Sequence, residues 1–330
     1  MSRRRTKACI GITLGDCAGI GPEIIELALK SDRLARAADY RIIGKYPDCT
    51  PGHPTAETAR AAAAALEEAV ILGRRGELDA IITGPIHKAR MYDVGFKFPG
   101  QTEFFAERCG VKNFAMCLTG GKITVALVTT HIPLSEVPRA LKQSEIVRVG
   151  LLLADFLSRR RSPRRPKMDR SSSAAQGPRI AVAGLNPHAG ESGRIGSEEI
   201  DIISPAIVAL KSEIRNPKSE ITGPHSPDTV FHRAIKGEFE AVLCMYHDQG
   251  LIPLKLHAFH EGVNVTLGLP FPRTSPDHGT AFDIAGKGLA RPDSLIAAIS
   301  LAVELAKCHV ERSRLPRRSF TRRLGDISVN

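Results

Sequence analysis

Three histidines share one local context. His131, His188 and His247 each stand at or just past the end of an apolar, β-type run, in ITVALVTTH, RIAVAGLNPH and AVLCMYH. In open α/β sheets, ligands bind outside the carboxyl ends of the strands. Three neutral imidazoles delivered there would make a metal site with positions left for substrate. The intervals of 57 and 59 residues match no local metal motif, so the grouping is a spatial expectation, and with eleven histidines coincidence is its rival. Such a set accepts Zn, Co, Mn or Ni, and substrate oxygens would complete a site for Mg. A metal-polarised hydroxyl also needs a proton acceptor. Asp228 in SPDT, Asp248 directly after His247, and Lys255 are the candidates. Both aspartates also stand where a helix N-cap is useful.

A second group offers cationic and amide donors. Lys255, Asn264 and Arg273 would together hold a phosphate or carboxylate, with the arginine supplying a planar fork. Asn264 and Arg273 flank the apolar run Val265–Phe271, which aims them at a cleft rather than at solvent. The glycine-rich turn GDCAGIGPE, residues 15–23, lies between a strand and a helix. It is neither a G-x-G-x-x-G fingerprint nor a Walker loop. A dinucleotide therefore needs another loop, and residues 277–288 (DHGTAFDIAGKG) are the candidate. Their small side chains permit close backbone approach, with His278, Gly279, Thr280, Ala281 and Asp283 as contacts.

The elements that must position these residues alternate between strand and helix. Strands are expected at 8–14, 40–43, 79–83, 179–183, 241–245 and 263–267. A hairpin is expected from 114–118 and 123–129 through the turn TGGK. Helices are expected near Pro22 and over 55–73, 101–108, 143–158, 197–211, 227–235 and 292–307. The pattern implies an α/β fold with a mostly parallel sheet flanked by helices. Two segments read as insertions. Residues 159–177 are basic, then Ser/Ala-rich, without apolar periodicity, and are expected to be disordered. Residues 211–221 contain the direct repeat KSEI-RNP-KSEI and are expected to extend a surface loop. Lengthening a loop costs only about 0.6 kcal/mol per doubling.

Composition narrows the function classes. A chain of 330 residues suits one large α/β unit or two lobes. Its net charge of +11 raises the question of nucleic acid. That charge belongs to residues 3–7, 159–170 and 311–326, which together exceed the total, so the body of the chain is slightly acidic. Solvated peripheral charge and an electrostatic foothold on RNA, DNA or an anionic surface are the two explanations. Seven cysteines without a Cys-x-x-Cys pair point to reduced thiols in the cytosol. No apolar run approaches the ~20 residues of a membrane span, so a soluble cytoplasmic protein is expected.

Eight segments then carry a resemblance. GDCAGIGPE, ITGPIHK, PGQTEFF, VTTHIPL, GLNPHAGESGRIGSEE, GPHSPDTVF, MYHDQGLIPLK and GVNVTLGLPFPRTSPDHGTAFDIAGKG follow one another over residues 8–308. Their order and spacing resemble the 4-hydroxythreonine-4-phosphate dehydrogenase family of vitamin B6 biosynthesis. The first and last also resemble segments of isopropylmalate dehydrogenases. The resemblance implies an isocitrate/isopropylmalate dehydrogenase-like, two-lobed α/β/α fold. One lobe, on the cofactor side, would comprise residues 1–115 and 255–330. The other, on the metal and dimer side, would comprise residues 116–254.

It further implies NAD- or NADP-dependent oxidation of 4-phosphohydroxy-L-threonine with one divalent ion, Zn, Mg, Co or Mn. His131, His188 and His247 match the metal ligands, in a homodimer whose active site is shared, with His131 reaching across. Thr102, Lys255, Asn264 and Arg273 match substrate-binding residues, and Asp228 and Asp248 match acids near the metal. One departure stands out: the family pattern has His-Thr-Glu where this chain has Gln101-Thr102-Glu103. Glutamine still hydrogen-bonds substrate but carries no charge. D-threonate or D-erythronate 4-phosphate is therefore the alternative substrate, and a non-catalytic nucleic-acid-binding relative the alternative of another class.

Overall fold

The structure, a computed structural model, describes residues 7–34, 38–160 and 177–313. The expected disorder of 159–177 falls almost wholly outside those residues; Arg159 and Arg160 close a helix. Among the described residues ten strands occur: β1 Ala8–Thr13, β2 Ala38–Ile43, β3 Ala80–Thr83, β4 Ala115–Gly120, β5 Ile123–Leu127, β6 Arg179–Ala183, β7 Glu220–His225, β8 Ala241–Cys244, β9 Val263–Leu267 and β10 Arg273–Pro276. The first five α-helices are α1 Gly21–Lys30, α2 Ala56–Arg74, α3 Lys88–Asp93, α4 Gln101–Arg108 and α5 Val137–Ala140. The remainder are α6 Gln143–Arg160, α7 Ser204–Glu213, α8 Pro227–Ile235, α9 His247–Ala258 and α10 Asp293–Ser313.

All ten strands form one sheet in the order β2-β1-β3-β10-β9-β4-β5-β8-β6-β7. Both ends are parallel, whereas β10, β9, β4 and β5 pair antiparallel in the middle. The mostly parallel α/β sheet read from the sequence is thus present, with an antiparallel centre that holds the expected hairpin. Strands β7 and β10 were not expected. Ile221 is the single buried position of β7, and β10 is the four-residue RTSP, so neither shows the alternation of a half-buried strand. Helix α9 was also hidden, because Pro253 sits inside it. The 211–221 segment divides between the end of α7, a short turn and the start of β7.

Strand alternation sends successive side chains to opposite faces. On one face Ile10, Ile12, Ala80, Ile82, Ala115, Cys117, Val263, Val265 and Leu267 join α1, α6, α7 and α10 in a single apolar cluster. The other face is split. Ile43 and Ile81 pack under α2 and α4 at one end, and Leu118, Val125 and Leu127 pack under α8 and α9 at the other. Between these two clusters the same face carries Thr83, Arg273, Ser275, Thr266 and Asn264. A polar strip therefore interrupts the apolar layer at the centre of the sheet.

Four phenylalanines wall one side of that strip. Phe104 is 1% exposed, and its ring centroid lies 5.3 Å from those of Phe96 and Phe98 and 5.4 Å from that of Phe105. Replacing Phe104 by Ala is expected to cost about 3–5 kcal/mol. It would appear as a lowered urea midpoint with an unchanged m value.

Candidate functional site

Sheet register builds the floor of the site. Arg273 on β10 pairs with Thr266 on β9 and with Ile81 on β3, two residues before Thr83. Its guanidinium therefore reaches along both neighbours. Nη1 donates to Thr266 Oγ1 at 3.2 Å, and Nη2 donates to Thr83 Oγ1 at 2.6 Å and to Gln101 Oε1 at 2.9 Å. The Phe105 ring lies 5.6 Å from the guanidinium carbon. Arg273 is 2% exposed. Burial pulls its pKa down to about 10, while Glu103 acts in the opposite direction.

Helix α4 starts above this floor. Gln101 accepts from Arg273 and donates through Nε2 to the Gly84 carbonyl at 3.1 Å, so both ends of its amide are engaged. Thr102 Oγ1 lies 3.3 Å from Thr266 Oγ1. Lys255, from α9, pairs with Asp277 at 3.1 Å. The resulting cleft, of about 370 Å³, is lined among others by Gln101, Thr102, Lys255, Asn264 and Arg273. All five residues expected to bind substrate therefore meet in one place.

The polar atoms of this cleft are incompletely paired. Among the described residues, seven buried side-chain nitrogen or oxygen atoms have no hydrogen-bond partner. Four of them, Glu103 Oε2, Asn264 Oδ1, Arg273 Nε and His278 Nε2, belong to residues lining the cleft. Buried polar groups are normally satisfied, and each exception calls for a cause. Here one donor, Arg273 Nε, and two acceptors, Glu103 Oε2 and Asn264 Oδ1, belong to residues of one cleft, a set with the chemistry to pair with a ligand carrying both an anionic group and hydroxyl or ammonium hydrogens. Glu103 was missed by sequence reasoning because a lone Glu in a helix reads as surface.

The expected cofactor loop borders the same cleft. His278 and Gly279 line it. Burial lowers the pKa of His278, and its Nδ1 lies 3.1 Å from the Gly279 carbonyl. Open space surrounds the position where a Cβ would stand at Gly279. Thr280 is buried and its carbonyl accepts from Ile20 N at 2.9 Å, Ala281 has φ 44°, and Asp283 is exposed. The loop thus rests on the glycine-rich turn: a Cβ at Gly19 would stand 2.7 Å from the Thr280 carbonyl. A narrow cleft edge with an uncrowded backbone and an unpaired imidazole nitrogen fits a dinucleotide.

The three histidines are only partly gathered. His131 lines the cleft, and its ring lies 5.7 Å from that of His247. Burial first, and Lys88 next, lower the His131 pKa, which favours the neutral imidazole that metals bind. His247 Nδ1 is 2.6 Å from Asp248 Oδ1, a contact that orients the ring and leaves Nε2 free. His188 opens a run of six left-handed residues, from φ 51° at His188 to φ 89° at Gly193. Consecutive left-handed L-residues are costly, and such strain concentrates at functional sites. Buried Glu199 holds the approach to this turn by accepting from Leu185 N and Asn186 N at 2.7 and 2.8 Å. Nothing in PHAGESG announces it.

Among the described residues, no three His, Cys, Asp or Glu side chains of one chain form a metal cluster. The donor set nevertheless fits a divalent cation: imidazoles, one of them carrying a carboxylate partner. The two acids are not caps, since the N-caps are Ser226 and Tyr246 and each aspartate lies in the first turn, two residues past its cap. Asp228 accepts from Ser226 Oγ at 2.5 Å, which holds its carboxyl below the usual range with a smaller contribution from His188. Asp228 and Asp248 are exposed outside the cleft, and Lys255 is the proton-acceptor candidate that lines it.

Known proteins of similar sequence and structure share this arrangement of chain. The family model of pyridoxal phosphate biosynthetic protein PdxA matches residues 22–302. The 4-hydroxythreonine-4-phosphate dehydrogenase of Maricaulis maris (strain MCS10) is 46% identical over 269 residues, 78% of this chain and 73% of that protein. That of Desulfosudis oleivorans (strain DSM 6200 / JCM 39069 / Hxd3) is 41% identical over an alignment of 340 residues, covering 91% and 96%. The crystal structure of 4-hydroxythreonine-4-phosphate dehydrogenase from Klebsiella pneumoniae matches with a TM-score of 0.72 at 36% identity, covering 91% of this chain and 100% of that one.

Gln101 has a testable structural part in the cleft. A Gln101→Leu variant leaves the Arg273 guanidinium and the Gly84 carbonyl each short of a partner. It is expected to lose about 1–3 kcal/mol of unfolding free energy in urea. Unchanged stability would show that water replaces the amide at no cost.

Proposed function

This chain belongs to the pyridoxal phosphate biosynthetic protein PdxA family, a family of dehydrogenases, and on that footing we propose that it oxidises 4-phosphohydroxy-L-threonine. The product, 2-amino-3-oxo-4-phosphooxybutanoate, loses carbon dioxide to give 3-amino-2-oxopropyl phosphate on the way to pyridoxine 5'-phosphate. The observation that carries this reading is the set of unpaired polar atoms around buried Arg273.

The residues divide the work as follows. Arg273 holds the substrate phosphate from beneath, with Gln101 fixing the guanidinium and Thr102 at its side. Its Nε, the guanidinium nitrogen without a protein partner among the described residues, is the donor left for the phosphate. Lys255 stands across the cleft as a second cation, steadied by Asp277. Asn264 and Glu103 accept from the hydroxyl and ammonium hydrogens of the amino acid. His131, His188 and His247 would hold a divalent cation, which would supply Lewis acidity to the substrate hydroxyl and a counter-charge for decarboxylation. His278, Gly279, Thr280, Ala281 and Asp283 would hold NAD or NADP, which would supply the hydride acceptor. Asp248 or Asp228 receives the hydroxyl proton, while Lys255, the one of the three placed in the cleft, receives it when its amine is neutral instead of paired with Asp277.

A second copy of the chain completes the metal site in this reading. Helix α9, which carries His247 and Lys255, exposes Ile252, Leu256 and, just past its end, Phe259. Their spacing makes one apolar stripe, and Leu134, close to His131 in sequence, is likewise exposed. Exposed apolar patches of this kind mark protein interfaces. The first lobe, residues 1–115 and 255–330, then carries the cofactor side and the second, 116–254, the metal and dimer side. A cytoplasmic location goes with the free cysteines of the described residues, and no helix among those residues is long and apolar enough to cross a membrane.

NADH formation tests the reading. The purified protein is incubated with NAD and 4-phosphohydroxy-L-threonine, D-threonate 4-phosphate or D-erythronate 4-phosphate, before and after chelation and metal addition. Turnover of the amino acid, abolished by chelation and restored by a divalent metal, is expected. Preference for a sugar acid would move the pathway and keep the chemistry. Absence of turnover with all three would overturn the proposal.

A further inference from the structure

Two cysteines that lie 32 residues apart come into direct contact. Cys49 Sγ donates to Cys17 Sγ at 3.3 Å. Cys17 belongs to the glycine-rich turn and is buried, whereas Cys49 lies in the β2–α2 loop and is partly exposed. The contact is built by backbone: Gly52 N donates to the Ala18 carbonyl at 2.7 Å, one residue from Cys17 and three from Cys49. Burial, the neighbouring Cys49 and then Asp16 raise the Cys17 thiol to about 12.

We propose that Cys17 and Cys49 form a dithiol modification site that a peroxide oxidises to an intramolecular disulfide. The thiolate is the reacting form, and access selects Cys49 as the residue attacked first. Its sulfur displaces water from hydrogen peroxide to give a sulfenic acid. The Cys17 sulfur then attacks the Cys49 sulfur, its proton joins the departing hydroxyl, and a second water leaves. In total, two thiols and one peroxide give one disulfide and two waters. The sulfurs must close from 3.3 Å to about 2.05 Å, a small movement.

The position gives the bond a consequence. Both loops press on the 277–288 loop. Ile20 N donates to the Thr280 carbonyl, a Cβ at Gly52 would stand 3.0 Å from the Phe282 carbonyl, and one at Gly286 would stand 2.7 Å from Pro51 Cβ. These close backbone approaches couple the two loops to the 277–288 segment, so drawing Cys49 toward Cys17 shifts its backbone. Resting on the reading that this loop takes the dinucleotide, the disulfide weakens NADH binding several-fold and reversibly.

Peptide mapping tests the site directly. The full-length protein is treated with hydrogen peroxide, free thiols are alkylated, and the digest is analysed without reductant. Expected is a cross-linked pair containing Cys17 and Cys49, two hydrogens lighter than the separate peptides, and released by dithiothreitol. A Cys49→Ser variant lacks the pair and keeps the wild-type turnover. The melting temperature of the oxidised wild type rises by several degrees over the reduced form, because the bond closes a long loop. Recovery of both cysteines alkylated after peroxide treatment overturns the site. NADH affinity, read by fluorescence titration, is expected to fall on oxidation in the wild type and not in Cys49→Ser. A cross-link with unchanged affinity sustains the site and overturns its coupling to the loop. Failure of NADH to bind the reduced protein would count against the dinucleotide reading, while the mapping still decides the site.

Discussion

The charge of Arg273 is buried at the centre of the sheet, and the architecture around it follows from that constraint. An isolated ion in a dry interior is expensive unless hydrogen bonds surround it. Thr83, Thr266 and Gln101 supply them from three different elements, and the face of Phe105 adds a further contact. These partners exist because β10 lies between β3 and β9, with the register that aligns Arg273 with Thr266. The antiparallel turn of the sheet at its middle is therefore what places a cation beneath the cleft. Its Nε has no hydrogen-bond partner among the described residues.

The same strip explains why the molecule has a cleft at all. A sheet face covered continuously by apolar side chains would be sealed by helices, as the opposite face is by α1, α6, α7 and α10. Polar residues on β3, β9 and β10 divide the layer into two apolar clusters. Helices α4 and α9 stand on either side and deliver Gln101, Thr102 and Lys255. Packing and chemistry thus come from one pattern of alternation along short strands.

Much of this was legible in the sequence. Asn264 and Arg273 were read as aimed into a cleft because they flank an apolar run, and sheet pairing joins their strands. The hairpin and helices α4 and α8 were equally legible, since turn chemistry and 3.6-residue periodicity are local signals. The rest depended on tertiary context. Strand β10 is too short and polar to alternate, and α9 hides behind Pro253. The left-handed turn at His188 lies in a segment of small residues that reads only as a loop, and the residues leading into it are held by Glu199, 13 and 14 positions further on. The meeting of Cys17 with Cys49 has no sequence signature, since it depends on two loops packing side by side. Of the three histidines placed at strand ends, His131 and His247 meet within the chain, as the strand order β5-β8 requires.

The most direct test of the central role given to Arg273 is a comparison of affinities by calorimetry. The wild type and Arg273→Lys, each checked for native unfolding behaviour, are titrated with 4-phosphohydroxy-L-threonine and with its unphosphorylated counterpart. Lysine keeps the charge and loses the fork, so the phosphorylated ligand is expected to bind roughly 30–150-fold more weakly, a loss of about 2–3 kcal/mol. The unphosphorylated ligand should bind the two proteins alike. Equal losses for both ligands, or no loss for either, would contradict the assignment of Arg273 as the phosphate anchor.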